Sequence, residues 1–242
     1  MRIAVAGSTG LIGRQVVALA TAQGHEVVGL SPSTGYDLLQ PAGLVEALAG
    51  VDAVVNVTQS PTLDEQESTE FFVTVAENLG KAASEAGVPR TVVLSIVGAD
   101  RSPDYGYYVA KVAQEEATRA TAPGALIVRA TQFHEFAGQM LGWFRDGDVT
   151  RIIDVPTQPV ATDEIVKLLL EAATGQVDGD VDLAGPKVER LVALVERVVA
   201  RTGEQVRVEA VPAPASMAGG SMLAGPGALL RGPDWETWFA AQ

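Results

Sequence analysis

A short β-branched run, Ile3-Ala4-Val5-Ala6, leads directly into three glycines at a spacing of three, Gly7, Gly10 and Gly13, and then into an apolar stretch with helical periodicity. Few arrangements accommodate that order. Gly7 permits the tight turn off the strand, Gly10 lets the backbone come close to a ligand, and Gly13 allows the helix to pack on its strand. The free N–H groups and positive dipole end of such a helix form a ready site for a pyrophosphate. The loop Gly7, Ser8, Thr9, Gly10, Leu11, Ile12 and Gly13 is therefore expected to bind a dinucleotide, with Ser8 and Thr9 adding hydroxyl donors.

The rest of the first 130 residues alternates strand-like and helical stretches, which predicts a parallel sheet with crossover helices. Strands are expected at 2–6, 25–30, 52–57, 90–95 and 125–129, and helices at 11–23, 41–49, 63–86 and 105–122. The fold class that follows is α/β, a Rossmann-type doubly wound sheet in one domain, with a small C-terminal substrate-side region. Ligands of such sheets lie beyond the carboxyl ends of the strands. After residue 130 the rhythm loosens. Helices are expected at 134–146, 163–173 and 187–201, and short strands at 149–153, 180–183 and 205–210. Segments 130–160 and 205–232 are expected on the substrate side. Within them, 211–232 is rich in Ala, Gly, Pro and Met without a clear period, which suggests a lid or a poorly ordered stretch. Trp235, Trp238 and Phe239 fall on one face of a short helix that docks on the core.

Composition narrows the function classes. A net charge of −13 with scattered Lys and Arg argues against nucleic acid as a partner. No apolar run is long enough to cross a bilayer, and Met1-Arg2 runs straight into the first strand with no leader pattern. The absence of cysteine removes disulfides, thiolate metal sites and a cysteine nucleophile. A cytoplasmic protein acting on a small molecule is the expectation. No metal constellation is visible, since His25 and His134 are the two histidines and neither has a companion nearby.

Two residues suit proton transfer. Tyr107 and Lys111 are four apart on a predicted helix and project from one face. A nearby ammonium stabilises a phenolate, so Lys111 is expected to pull the Tyr107 pKa down toward neutrality. Ser95, at the end of the preceding strand, is placed to orient a substrate oxygen. Tyr108 is a second possible acid or a substrate contact. Gln132, Phe133, His134 and Trp143 are tentative substrate-side residues, with packing the other reading of each aromatic and of His134.

The N-terminal Gly-x-x-Gly-x-x-Gly, the runs Val92–Asp100 and Tyr107–Lys111, and Ala130–Phe136 together resemble the atypical and extended short-chain dehydrogenases/reductases, in particular their NmrA-like, NAD(P)H-binding branch. The resemblance spans roughly 1–210. It implies that Lys111 also holds the nicotinamide ribose, that Asp37 with Leu38 lies beside the adenine, and that Thr58 lines the cofactor cleft; a turn-forming Asp37 is the other reading. NAD-specific relatives carry an acid at the end of the second strand, where this chain has Leu30-Ser31-Pro32-Ser33. The arginine that NADP-binding members often carry near Pro32 is also missing. Arg14, with Ser31 and Ser33 as donors, is left to read a 2′-phosphate, so NADP(H) is expected over NAD(H); an exposed helix position is the other reading of Arg14. The expected activity is an NAD(P)H-dependent oxidoreductase acting on a small carbonyl or quinone-like compound. A non-catalytic dinucleotide sensor, or an isomerase, epimerase or lyase on the same fold, are the competing readings.

Overall fold

A computed structural model describes all residues, 1–242. Its strands are β1 (Arg2–Ala6), β2 (Glu26–Leu30), β3 (Ala53–Asn56), β4 (Thr91–Ile96), β5 (Ala125–Ala130), β6 (Arg145–Asp146), β7 (Val149–Ile153), β8 (Pro156–Thr157), β9 (Val181–Ala184), β10 (Glu189–Arg190), β11 (Arg207–Val211) and β12 (Leu229–Leu230). The helices are α1 (Leu11–Ala22), α2 (Leu44–Ala47), α3 (Glu65–Glu85), α4 (Gly106–Thr121), α5 (Phe136–Trp143), α6 (Thr162–Ala173), α7 (Leu191–Thr202), α8 (Ala215–Ala218) and α9 (Trp235–Ala240). The chain forms two compact units. One comprises 1–96, 105–129 and 163–181, the other 97–104, 130–162 and 182–242. The sequence predicts one domain; the stretches it assigns to the substrate side, 130–160 and 205–232, both lie in the second unit.

In the first unit the strands lie in the order β5-β4-β3-β1-β2. Strand β1 pairs in parallel with β2 on one side and β3 on the other, and β3 pairs in parallel with β4. Ile3–Ala6 and all of β3 are buried, as strands covered on both faces must be, whereas the edge strand β2 begins with the exposed Glu26. This is the expected Rossmann-type, doubly wound arrangement. The order reverses between β1 and β3, so the switch point lies where Gly7 leaves β1 and Val57 leaves β3. Helix α3 opens on Asp64, whose carboxylate accepts the Glu67 N–H at 3.0 Å, with Glu65 and Glu67 complementing the dipole of the first turn. It packs along α4, the helix that carries Tyr107 and Lys111.

Some boundaries differ from expectation for local reasons. The helix expected over 41–49 shrinks to α2, because Gly43 takes a left-handed conformation (φ +78°) and starts it late. The helix expected over 134–146 ends at Trp143, after which Gly147-Asp148 turns β6 back onto β7 as an antiparallel hairpin. The 187–201 stretch yields a short strand, β10, before α7 begins at Leu191.

The second unit holds the sheet β11-β7-β6, the pair β10-β8, and the parallel pair of β12 with β9. Its C-terminal helix docks as expected. Trp235 is buried and donates its indole N–H to the His134 carbonyl at 3.0 Å, while Phe239 stacks on Trp235 at 4.3 Å. Within segment 211–232, expected as a lid or a poorly ordered stretch, residues 216–223 are tethered. Arg101 donates to the carbonyls of Ser221 (2.9 Å) and Leu223 (2.8 Å), and the Ser102 and Ser221 hydroxyls bond each other at 2.7 Å. The Asp104 carboxylate accepts the Ser216 N–H at 3.0 Å and the Ser216 hydroxyl, bonds that hold its pKa below the usual value. Met217 and Met222 are buried beneath. Gly98, with φ +78°, lies so close to the Ser221 carbonyl that a Cβ there would run into it.

Amides 217–223 are therefore expected to exchange slowly without any ligand. Gly98→Ala, which combines left-handed strain with a backbone collision, is expected to cost about 3 kcal/mol or more and to speed that exchange. Rapid exchange of 217–223 in the unmutated protein would contradict the tethered description.

Candidate functional site

All residues expected to hold a dinucleotide or to react lie in the first unit. Gly7 leaves β1 with φ +80°, and its N–H donates to Leu30 O at 2.9 Å. A Cβ on Gly7 would meet Val57 O at 3.0 Å, and one on Gly13 would collide with the Gly7 carbonyl. Gly10 is different. A Cβ there meets only Gly7 O at 3.3 Å, and the residue is exposed. Gly10 is the N-cap of α1, no side chain caps this end, and the first turn carries no acid. An open, uncapped helix end beside an exposed glycine fits a bound pyrophosphate.

Individual residues around this loop divide. Thr9 and Leu11 are exposed at the loop surface, whereas Ile12 is core and offers only its backbone. Ser8 is buried, and its Oγ lies against Gly29 without a hydrogen-bond partner. Arg14 is exposed, and its guanidinium has neither an ion-pair nor a hydrogen-bond partner. Ser33 is exposed nearby in sequence, but Ser31 is buried and caps the turn 32–34, its hydroxyl bonding Ser33 (3.1 Å) and Thr34 (3.2 Å). Ser31 is thus a structural cap in place of the expected phosphate donor. Asp37 accepts the Leu39 N–H at 3.0 Å, a turn of the kind a short acidic side chain makes. Leu38 is a core residue, packed with Leu44, Leu48 and Leu79. Thr58 donates its N–H and hydroxyl to Asn56 Oδ1 at 3.1 and 2.8 Å, which folds the exit of β3 against Gly7. Asn56 is a residue the sequence reading missed; the signal was a lone polar residue closing an otherwise apolar strand.

Tyr107 and Lys111 meet at Phe72 of α3, also unforeseen. Tyr107 meets its ring edge-on at 5.7 Å, and Lys111 Nζ stands 4.6 Å from the ring centroid. Lys111 is 4 % exposed. Its ammonium donates to Leu94 O at 2.9 Å and to Gln114 Oε1, and no carboxylate pairs with it. The neighbouring Glu115 is occupied by Arg129, whose Nε lies 2.8 Å from Oε1, and by Arg119 at 3.4 Å. Burial therefore pushes the Lys111 pKa down to about 7, with Glu115 opposing at a distance. Ser95, next to last in β4, is 2 % exposed, and its Oγ has no partner.

One expectation is reversed. Burial, reinforced by Tyr105, pushes the Tyr107 pKa up to about 12, where a neighbouring ammonium was expected to lower it. Desolvation of the phenolate outweighs the charge of a lysine whose N–H groups point elsewhere. Tyr107 is therefore a neutral phenol at every ordinary pH. Tyr108 is nearly buried and packs edge-on against Tyr105 at 5.1 Å.

Four residues expected on the substrate side lie in the second unit. His134 is buried there, its Nε2 3.1 Å from Pro233 O and its ring 5.1 Å from Trp238, which marks it as a packing residue. Gln132 accepts the Thr157 hydroxyl at 2.6 Å, and Phe133 bridges to Val160. Trp143 is 58 % exposed, touching Phe136 edge-on at 6.4 Å.

Comparison with known proteins bears on this geometry. A family model described as NAD(P)H-binding matches residues 33–162. The photosystem II assembly factor Ycf39 of Synechocystis sp. is 26% identical over 234 residues, covering 88% of this chain and 71% of that protein. A dTDP-4-dehydrorhamnose reductase of Mycolicibacterium smegmatis is 27% identical over 202 residues, covering 73% of this chain and 62% of that protein, so the match spans less than two thirds of the latter. Among solved structures, the dTDP-4-dehydrorhamnose reductase of Bacillus anthracis in complex with NADP superposes with a TM-score of 0.74 at 15% identity, covering 100% of this chain and 99% of that one. No helix is long and apolar enough to cross a membrane. With more than half of its residues matched by the family model, the chain belongs to the NAD(P)H-binding family.

Proposed function

We propose that this chain is an NADPH-dependent reductase of a small carbonyl or quinone-like acceptor, with Ser95, Tyr107 and Lys111 as its reacting set. The observation that carries the reading is Lys111, a fully buried ammonium without a carboxylate partner. Such a group costs stability, and strongly shifted, unpaired charges of this kind cluster at sites of chemistry. Two curated relatives carry reductase names, the one from M. smegmatis and a (4-alkanoyl-5-oxo-2,5-dihydrofuran-3-yl)methyl phosphate reductase.

When bound, the reduced nicotinamide supplies a hydride to the acceptor carbon. As that bond forms, the carbonyl π pair moves to oxygen. Tyr107 gives its phenolic proton to this oxygen, and solvent returns a proton to the phenolate. A phenol that stays protonated is an acid throughout the neutral range, which suits the reducing direction. Ser95, with its hydroxyl free of other bonds, orients the acceptor oxygen. Lys111 would hold the nicotinamide ribose. Arg14, unpaired and exposed directly after Gly13, would take the 2′-phosphate with Ser33, and no acid stands at the end of β2 to repel it.

Three measurements test these roles. NADPH is expected to bind more tightly than NADH by calorimetry, and Arg14→Ala to remove most of the preference, about 1.5–3 kcal/mol for a charge-assisted contact; equal affinities in the unmutated protein overturn the NADPH assignment. Tyr107→Phe is expected to lower NADPH oxidation by a panel of quinones and ketones about 10²–10⁴-fold while leaving NADPH affinity within about twofold. Full activity in that variant ends the proton-donor role. Lys111→Met separates function from stability. Folded Lys111 loses its proton near pH 7 and the unfolded lysine near 10.5, so the unfolded chain binds more protons between these values. Stability should therefore rise with pH across that window, by at most about 1.4 kcal/mol per pH unit. The methionine variant is expected to lack this rise, to melt higher at pH 6–7, and to bind NADPH about tenfold more weakly, the size of one charged hydrogen bond.

A further inference from the structure

The surroundings of Lys111 hold more than its burial. An ammonium has three N–H donors, and here each has a destination: Leu94 O, Gln114 Oε1, and the face of the Phe72 ring. None is left for a ribose. A nucleotide that binds through Lys111 must therefore displace one of the three. Leu94 O belongs to the backbone of β4 and cannot withdraw without moving the strand, and the Phe72 ring is also held edge-on by Phe71 and Tyr107. Gln114 is a side chain one helical turn along α4 from Lys111, at the i, i+3 spacing that stacks two side chains on one face. It is 0 % exposed, and its Nε2 has no hydrogen-bond partner. The Gln114 side-chain amide thus makes no hydrogen bond besides the one it accepts from the ammonium.

We propose that Gln114 stows Lys111 in the free protein and competes with the ribose diol of the nucleotide for the same ammonium N–H. Gln114 is thus a positioning residue: it touches no cofactor and sets how readily Lys111 is released to one. The inference rests on the reading of Lys111 as the ribose ligand. Removing the acceptor frees the lysine in advance, the gain that pre-organisation gives. Replacing it with a carboxylate, of the same shape, holds the ammonium harder as an ion pair.

Fluorescence titration of NADPH at pH 5.5, where Lys111 keeps its proton even after the downward movement expected in Gln114→Leu, tests this on the unmutated protein, Gln114→Leu, Gln114→Glu and Lys111→Met. Gln114→Leu is expected to bind roughly 3–10-fold more tightly, the size of one ordinary net hydrogen bond, and Gln114→Glu at least about tenfold more weakly. The difference between the two should vanish when each is combined with Lys111→Met. In ¹³C NMR titrations the Lys111 Cε midpoint should fall in Gln114→Leu and rise in Gln114→Glu, a movement that a packing role for Gln114 does not produce. Unchanged or weaker binding by Gln114→Leu, with Lys111→Met still weakened, overturns the competition and leaves the ribose role standing. Unchanged binding by Lys111→Met overturns the ribose role itself. Should Gln114→Leu fail to fold, the isosteric Gln114→Glu carries the test: tighter or equal binding by it overturns the proposal.

Discussion

Helix α1 approaches its own strand glycine on glycine, and the dinucleotide loop depends on that contact. Gly13 sits where any side chain would strike the Gly7 carbonyl, while Gly7 takes a left-handed turn and lies against the Val57–Thr58 backbone at the exit of β3. Three chain segments are thus drawn together at the switch point of the sheet with almost no side-chain volume between them. What remains open is the end of α1 at Gly10, without a side-chain cap and without an acid in its first turn. Backbone packing has left an unneutralised helix end beside the strand, the feature on which the proposed phosphate site rests.

The second constraint is electrostatic. The only acid next to Lys111 on α4, Glu115, is held by Arg129 and Arg119, so the buried lysine is left with neutral acceptors and an aromatic face. The same desolvation that lowers the Lys111 pKa raises that of Tyr107. Burial therefore separates the pair, a base-like lysine and a firmly protonated phenol, around one shared ring. A site of this kind is less stable than a hydrophobic replacement of equal volume, which is consistent with residues kept for binding and proton transfer.

Much of this was legible in the sequence, and the failures have physical causes. The inner strands of the first unit are runs of β-branched and small residues buried on both faces, and Gly7 and Gly13 meet backbone requirements that a side chain would break, so both were readable. Ser31 and Leu38 were read as cofactor contacts because polarity or position allowed it, and His134 was left between a substrate contact and packing. Whether a serine caps its own turn, a leucine reaches the core or a histidine packs beneath a tryptophan depends on neighbours that local sequence does not name. The tether of 216–223 joins residues more than a hundred positions apart, Asp104 to Ser216 and Arg101 to Leu223, and no local pattern announces it. The Tyr107–Lys111 spacing was visible on the helix, but the sign of the phenol's shift was decided by Phe72, Tyr105 and burial. Gly147-Asp148 did announce its hairpin and was passed over in favour of a longer helix.

The central claim is that the open end of α1 at Gly10 receives the pyrophosphate of a nicotinamide dinucleotide. Gly10 has φ −72° and ψ 176°, a conformation any residue adopts, and a Cβ there meets only Gly7 O, at 3.3 Å, so Gly10→Val should fold once the loop gives by a few tenths of an ångström. Its side chain would stand where the phosphates must approach. Calorimetric titration of NADPH onto Gly10→Val, beside a thermal melt, tests the claim most directly. The account predicts a melting temperature near that of the unmutated protein and an affinity at least about a hundredfold weaker, the loss of two or more charge-assisted contacts. Undiminished NADPH binding by a folded Gly10→Val protein would contradict it.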